Sequence, residues 1–336
     1  MKLAINGFGR IGRQTLRILL QKKSKLEVVA INDLTDNATL AHLFAFDSTY
    51  GRYPGTVKTE GKNAIVIDGK KIQIVAEADP EKLPWKKLGI DIVLECTGRF
   101  RTHEDASKHL KAGAKKVIVS APCKGDKGAD VNIVMGVNEE TYNAKKHQII
   151  SNVSCTTNCL APIAKALHDT FTIKRGLMTT IHAATNDQKI LDLPHKDLRR
   201  ARSVLGNMIP TTTGAAKAVG LVIPELKGKL SGLAVRIPTK TVSLVDLTVE
   251  VAKKTTAEKV NAALEKRAKK TPKILEVEHR PLTAIDFQQD PHSSIVDAMS
   301  TEVMDGTFVK VLAWYDNEWG YSNRLADLAE YIAKIK

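Results

Sequence analysis

The rhythm of apolar and polar positions changes near the middle of the chain. Over residues 1–150, short apolar runs alternate with stretches of helical period. The pattern predicts strands at 2–6, 27–32, 91–95 and 116–119, with helices at 11–22 and 104–110. A further strand near 148–150 closes this half. Apolar strands separated by amphipathic helices predict a doubly wound parallel sheet, because each parallel connection must cross back over a sheet face.

Beyond residue 150 the runs lengthen. Residues 176–182, 231–237, 242–251 and 308–314 read as strands. The alternation Val245-Asp246-Leu247-Thr248-Val249-Glu250-Val251 gives one strand a dry face and a wet face. Helices are predicted from Cys155, over 256–269 with Thr255 or Thr256 as N-cap, and over 324–335. Pro162 falls seven residues into the first of these, where it lacks a donor, so the residues alone predict a break there. The second half therefore reads as an α+β domain with a mostly antiparallel sheet. Two domains are expected: 1–150, joined by a C-terminal helix at 319–336, and 151–318. Segment 183–210 is long, polar and basic, which marks a functional or interfacial loop. Its Ile190, Leu191, Leu193 and Leu198 are residues of buried type and argue against a floppy insertion.

Composition narrows the class. The 336 residues are 43% apolar and 26% charged, an ordinary balance for a globular protein. No stretch approaches the ~20 apolar residues that cross a bilayer, and the first apolar segment stops at Asn6-Gly7. Neither a membrane span nor a secretory leader is expected, and a cytoplasmic location is. Four cysteines are too sparse for a disulfide framework and lack histidines at ligand spacing, so free thiols and no metal are expected. The net charge of +14 attracts anions. The lysine pairs are scattered and no zinc-finger or aromatic RNA-binding motif accompanies them, which favours phosphorylated small molecules over nucleic acid.

Gly7-Phe8-Gly9-Arg10-Ile11-Gly12 is a Gly-x-Gly-x-x-Gly pattern between a predicted strand and a predicted helix. In that context Gly9 admits a pyrophosphate against the backbone and the helix dipole favours its charge. Asp33 closes the second strand, where a carboxylate accepts from both adenosine ribose hydroxyls and repels a 2′-phosphate. NAD is thus expected over NADP on a Rossmann-like domain, although Asp33 can also cap the following turn.

Ser151-Asn152-Val153-Ser154-Cys155-Thr156-Thr157-Asn158-Cys159 sets a thiol among hydroxyls where a loop becomes a helix. A helix N-terminus favours thiolate over thiol. A thiol beside a dinucleotide domain suits an aldehyde substrate, whose hemithioacetal can lose hydride to leave a thioester. His182, at the end of a buried strand, is the best-placed base among nine histidines. Thr211-Thr212-Thr213-Gly214 precedes another helix, and Arg236 interrupts an apolar strand, so two anion sites are expected.

Segments 7–12, 151–162, 185–202, 210–218, 236–239 and 314–322 together make the chain resemble phosphorylating glyceraldehyde-3-phosphate dehydrogenases over essentially its whole length. The resemblance implies Cys155 as nucleophile and His182 as base. It implies Thr185 and Arg236 at the substrate phosphate, and Ser154, Thr156, Thr213 and Gly214 at the attacking inorganic phosphate. Arg10, Ile11, Asp33, Thr97 and Ser120 match NAD-contacting positions, and Asn317, with Tyr321 alongside, would orient the nicotinamide carboxamide. The loop 183–210 would reach a neighbouring subunit in a homotetramer, and its Leu193-Pro194 match the NAD-preferring pattern. Ala78 departs from an arginine common in the family, Ala183-Ala184 from a bulkier pair, and Cys96 from a serine. Cys159 carries over as a packing residue, and the family implies that the helix continues through Pro162. The expected reaction is oxidation of glyceraldehyde 3-phosphate with NAD and inorganic phosphate. Erythrose-4-phosphate dehydrogenase is the nearest alternative, aspartate-semialdehyde-type reduction a wider one, and a nucleic-acid-binding scaffold the alternative of another class.

Overall fold

The computed structural model describes residues 1–335, which form two compact units. The first unit comprises Met1–Ile133, Glu140–Val153 and the chain from Ser322 onward; the second comprises Val134–Glu139 and Ser154–Tyr321.

The first unit is built on a nine-stranded sheet. In spatial order its strands are Val131–Asn132, Ile149–Ser151, Lys116–Val119, Ile92–Glu95, Lys2–Asn6, Glu27–Asn32, Lys70–Val75, Ala64–Ile67 and Val57–Thr59. Every pair from the first edge to Lys70–Val75 is parallel, and the last two strands are added antiparallel. The interior runs, such as Leu3-Ala4-Ile5 and Ile92-Val93-Leu94, are almost fully buried. Buried parallel strands explain why they read as continuous apolar runs instead of alternations. The chain leaves Lys2–Asn6 toward Glu27–Asn32 on one side and returns to Ile92–Glu95 on the other. That reversal opens a crevice at the carboxyl ends of the strands, the usual ligand position in such sheets.

The antiparallel addition at residues 57–75 departs from the plain alternation expected there. Asp68 and Gly69 take φ values of 49° and 77°, a tight hairpin turn joining Ala64–Ile67 to Lys70–Val75. An Asp-Gly pair between apolar runs is a hairpin signal.

The second unit carries a seven-stranded sheet ordered Ile209–Thr212, Leu230–Ile237, Ile173–Ala183, Ser243–Val251, Phe308–Tyr315, Ser294–Met304 and Leu275–Glu278. Two pairings, Ile173–Ala183 with Leu230–Ile237 and Leu275–Glu278 with Ser294–Met304, are parallel; the rest are antiparallel. Ser243–Val251 alternates buried and half-buried residues along its length, as its sequence predicts.

Helix Cys155–Phe171 packs on this sheet and runs unbroken through Pro162, against the break read from the residues alone. A helix-interior proline costs ~3 kcal/mol. Ile163, Ala164 and Leu167 beyond it are fully buried. Each large apolar side chain buried this way contributes ~1.5–3 kcal/mol, so packing outweighs the missing bond. Thr256 caps helix Ala257–Lys270 by accepting from Lys259 N. The C-terminal helix, Trp319–Lys334, starts five residues before the position its apolar pattern indicates. Asp316 accounts for the early start, since its Oδ1 accepts from Glu318 N and Trp319 N. Among the described residues, no helix is long and apolar enough to cross a membrane.

Candidate active site

In the first unit, Gly7, Asp33, Thr97 and Ser120 each lie just past the carboxyl end of a parallel strand. Gly7 holds φ +90°, and a Cβ there would come within 2.7 Å of Thr97 N. A Cβ on Gly12 would meet Gly7 O at 2.4 Å, so this glycine lets helix Arg10–Gln21 press on the strand end. Gly9 differs, because its Cβ position faces open space. It is the N-cap of that helix, with no side-chain cap and no acidic residue in the first turn. An exposed, uncapped helix start beside a residue without a side chain fits a pyrophosphate. Arg10 and Ile11 occupy the first turn, with Arg10 ion-paired to Asp47.

Asp33 accepts from Phe8 N through Oδ2 (2.8 Å) and from Thr35 N through Oδ1 (3.0 Å). It therefore caps its own turn and also pins the glycine loop. The two roles read for it in sequence are compatible, since each carboxylate oxygen retains an acceptor site.

Beneath these loops lies a buried polar cluster that sequence reasoning missed. Glu95 Oε2 accepts from Asn6 Nδ2 (2.5 Å) and meets His109 Nε2 at 3.0 Å. Its Oε1 accepts from Thr97 N (2.8 Å) and from the Thr97 hydroxyl. The Trp85 indole N–H, which can only donate, reaches His109 Nδ1 at 3.0 Å. The His109 proton therefore sits on Nε2 and points at Glu95. Asn32 Nδ2 extends the chain by donating to Asn6 Oδ1 at 2.7 Å. The signal was available: Asn6, Asn32 and Glu95 are each the polar last residue of an apolar strand.

In the second unit, Ser154 caps the helix that Cys155 begins, accepting from Thr157 N at 3.0 Å. Cys155 Sγ lies 3.4 Å from His182 Nε2. On the other side of the ring, His182 Nδ1 is 2.7 Å from Ala183 O and 2.6 Å from Arg236 Nη1. Nδ1 cannot donate to the carbonyl while accepting from the guanidinium. With Arg236 in place, the neutral ring keeps its proton on Nε2, facing the sulfur.

Electrostatics agree with a neutral pair. Burial, with the Arg236 cation second, pushes His182 down to about 3. Burial raises the Cys155 thiol, opposed by that same cation and by the hydrogen bonds of the helix start. Arg236 thus favours a thiolate and disfavours an imidazolium.

The hydroxyls around the thiol are partly engaged. Thr156 Oγ1 meets Tyr315 Oη at 2.8 Å, and Tyr315 Oη also meets Thr180 Oγ1 at 2.9 Å. Ser154 Oγ lies 2.7 Å from Thr157 Oγ1. A second helix, Ala215–Val222, starts at Gly214 without a side-chain cap, and Thr213 Oγ1 accepts from Ala215 N. Thr157 Oγ1, in the first turn of the cysteine helix, donates to Ala215 O at 3.4 Å. Two helix N-termini are therefore brought side by side.

Among the described residues Arg236 bonds His182 Nδ1 and Ala183 O and pairs with no carboxylate, and its Nε is buried without a partner. Thr185 N and Oγ1 both donate to Gln188 Oε1. Asn317 Oδ1 accepts from Ser243 Oγ, which in turn accepts from Ala183 N, so the strand residue after His182 is tied to Asn317. Tyr321 is buried in the first turn of the C-terminal helix.

The loop between Ala183 and Ile209 is internally bonded. Arg200 joins Asp187, Thr211 Oγ1 and Thr212 O, and Arg202 joins Asp192. Its apolar residues are not buried as their type suggested: Leu191 is 70% exposed and Leu198 82%. Polar bonds, and not a core of its own, shape this loop.

Cys159 is buried among Ser294 and Ala313. Glu276, Asp290 and His292 come close enough to hold an ion. Both ring nitrogens of His292 are occupied, however, Nδ1 by the two carboxylates and Nε2 by Pro272 O. A ring facing acceptors on both sides accounts for the cluster without a metal.

The family profile described as "Glyceraldehyde 3-phosphate dehydrogenase, NAD binding domain" matches residues 1–103, and that described as "Glyceraldehyde 3-phosphate dehydrogenase, C-terminal domain" matches residues 154–317. The chain is 58% identical over 334 residues to the glyceraldehyde-3-phosphate dehydrogenase of Geobacillus stearothermophilus, covering 99% of this chain and 98% of the relative. It is 58% identical over 335 residues to glyceraldehyde-3-phosphate dehydrogenase 1 of Bacillus subtilis, with the same coverage. The Thermotoga maritima glyceraldehyde-3-phosphate dehydrogenase is 53% identical over 336 residues, covering 99% of each chain.

Proposed function

The chain belongs to the glyceraldehyde-3-phosphate dehydrogenase family, and from that premise we propose that it oxidises D-glyceraldehyde 3-phosphate to 1,3-bisphosphoglycerate with NAD and inorganic phosphate. The observation that carries the reading is the thiol of Cys155 at a helix start, 3.4 Å from His182, with the Arg236 guanidinium, whose Nε is buried without a partner, on the far side of the ring.

Cys155 sulfur adds to the aldehyde carbon as the thiol proton passes to His182 Nε2. For Nε2 to accept, the ring proton must first sit on Nδ1, where Ala183 O can receive it. That requires Arg236 to leave Nδ1. The substrate phosphate, by drawing Arg236 to itself, frees the ring and removes the cation that opposes its protonation. Anion binding at one group thereby turns the histidine into a base for the other.

NAD would be held at the strand ends of the first unit by Gly7, Gly9, Arg10, Ile11, Gly12, Asp33, Thr97 and Ser120 and would supply the hydride acceptor; the family resemblance assigns Asn317 and Tyr321 to its nicotinamide end. Loss of hydride from the tetrahedral adduct leaves a thioester on Cys155. Inorganic phosphate then attacks the thioester carbon, the C–S bond breaks, and the sulfur recovers its electron pair. The proton on His182 returns to sulfur or leaves to solvent. Ser154, Thr213 and Gly214 hold the attacking phosphate at the two helix starts, the natural place for an anion. Thr156, whose hydroxyl lies on Tyr315, contributes mainly through its backbone in the first turn.

The exposed leucines of loop 183–210 suit a homotetramer in which this loop meets a neighbouring subunit. We place the protein in the cytosol, a reducing compartment that suits its four free thiols. The relatives all carry the glyceraldehyde-3-phosphate name, which disfavours the erythrose-4-phosphate alternative.

The test is phosphate-dependent NADH formation from glyceraldehyde 3-phosphate, measured beside erythrose 4-phosphate. Cys155→Ser is expected to lower turnover by ~10⁴-fold or more, because the covalent route closes. A serine variant with full phosphate-dependent activity would refute the mechanism, and preference for erythrose 4-phosphate would reassign the substrate.

A further inference from the structure

The parallel strands Ile173–Ala183 and Leu230–Ile237 end together, Ala183 pairing with Ile237 at the last step of their ladder. Two residues further, one chain segment carries Thr185 and the other Thr239. Three polar atoms on these segments are buried without a hydrogen-bond partner: Arg236 Nε, Thr239 Oγ1 and Gln188 Nε2.

Gln188 is only 6% exposed. Its Oε1 is engaged twice, by Thr185 N at 2.9 Å and by the Thr185 hydroxyl at 3.0 Å, and its own N–H closes the turn onto Thr185 O. This fixes the amide's orientation, because a flipped amide would set two N–H donors against the Thr185 N–H. The Nε2 end is left with donors and no acceptor. A buried polar group in that condition costs ~1–3 kcal/mol. Asp187, the residue before Gln188, is bonded by Arg200 Nη1 at 2.6 Å, and Arg200 Nε also donates to Thr211 Oγ1 on the strand paired with the one that carries Arg236. The glutamine turn is thus tied to the strand next to Arg236.

We infer that Gln188 is itself a substrate-binding residue: its carbonyl braces Thr185, and its amide N–H donates to the phosphate of the aldehyde substrate beside Arg236. The inference rests on the proposal that Arg236 takes the substrate phosphate. Thr185 directs its hydroxyl hydrogen at Gln188, so in this arrangement the threonine positions and the glutamine donates. A charged donor and a neutral one then share the anion.

Steady-state kinetics of the full-length enzyme with glyceraldehyde 3-phosphate and with unphosphorylated glyceraldehyde test this. Gln188→Glu keeps an acceptor for Thr185 and replaces the free donors with negative charge. Its KM for the phosphorylated substrate is expected to rise at least ~10-fold, and the ratio of kcat/KM for glyceraldehyde 3-phosphate to kcat/KM for glyceraldehyde to fall at least ~10-fold. Gln188→Met, which removes the donor without adding charge, is expected to move the same ratio by less. Cofactor binding by each variant reports its folding, and Gln188→Met carries the test should Gln188→Glu fail to bind NAD. An unchanged KM in both variants, or equal losses on both aldehydes, overturns the inference. Arg236→Gln separates the two levels. If it discriminates between the aldehydes while the Gln188 variants do not, Gln188 alone is excluded. If Arg236→Gln does not discriminate either, the phosphate site itself falls and the inference with it.

Discussion

Two buried polar clusters, one in each unit, are satisfied to very different degrees. Under the glycine loop of the first, Glu95 takes four donors, and His109, Asn6, Asn32 and Trp85 complete a chain of hydrogen bonds. Around the thiol of the second, Arg236 Nε, Gln188 Nε2 and Thr239 Oγ1 have no partner. A fully satisfied cluster holds a shape, whereas donors left over in a half-buried site hold a place for an anion. The first arrangement suits a cofactor bound by backbone at strand ends. The second suits substrates whose charge completes the site.

The sharpest way to break that contrast is at its satisfied end. Glu95→Gln puts an amide among four donors, so at least one N–H group must face another. Loss of ~3 kcal/mol in unfolding free energy is expected, with weaker NAD binding and no change in the preference between phosphorylated and unphosphorylated aldehyde. Denaturant titration and cofactor binding measure both, and a variant as stable as the parent would show that the cluster does not support the loop.

A second prediction concerns pH. His182 is held down to about 3 in the folded protein, against 6.5 as the ordinary value. Below pH 6.5 the unfolded chain therefore binds the extra proton, and stability falls as pH drops toward 3. Between pH 6.5 and 5 this group alone removes ~1.6 kcal/mol, the slope growing to ~1.4 kcal/mol per pH unit as the unfolded histidine becomes fully protonated. The His182→Gln protein should show a flatter profile by that amount in denaturant titrations at the two pH values. Parallel profiles would mean that the ring is not held neutral.

The smallest effect is expected at Asp33. Asp33→Asn retains acceptance from Phe8 N or Thr35 N but removes the charge that repels a 2′-phosphate. The ratio of NADP to NAD efficiency should rise ~10-fold, equivalent to ~1.4 kcal/mol. An unchanged ratio would leave Asp33 with its turn-capping role alone.

Much of this was legible along the chain because the contacts are local or periodic. The strands at Lys2–Asn6, Glu27–Asn32 and Lys116–Val119 coincide with their apolar runs to the residue. Thr256 announced its helix by type and position. Other features failed where distant residues decide. Pro162 reads as a breaker until the burial of Ile163 and Leu167 is counted, and the leucines of the loop after Ala183 read as core until their exposure is seen. The Asp68-Gly69 hairpin carried a local signal that the surrounding lysines obscured.

The sequence by itself determined the central parallel strands of the first unit, four strands of the second, the glycine cradle, the thiol at a helix start and the likeness to a family. Each of these depends on residues within a few positions of one another, or on an ordered set of such motifs. Only the tertiary structure decided which buried groups are satisfied. It put Glu95 against residues from Asn6 to His109, Arg236 on the far side of the His182 ring, and Gln188 over Thr185 with its amide N–H free. Hydrogen bonding is saturable and directional, so whether a donor is spent or available depends on what the fold brings to it. That property cannot be read from residue type, and it separates the filled cluster around Glu95 from the spare donors of Arg236 and Gln188.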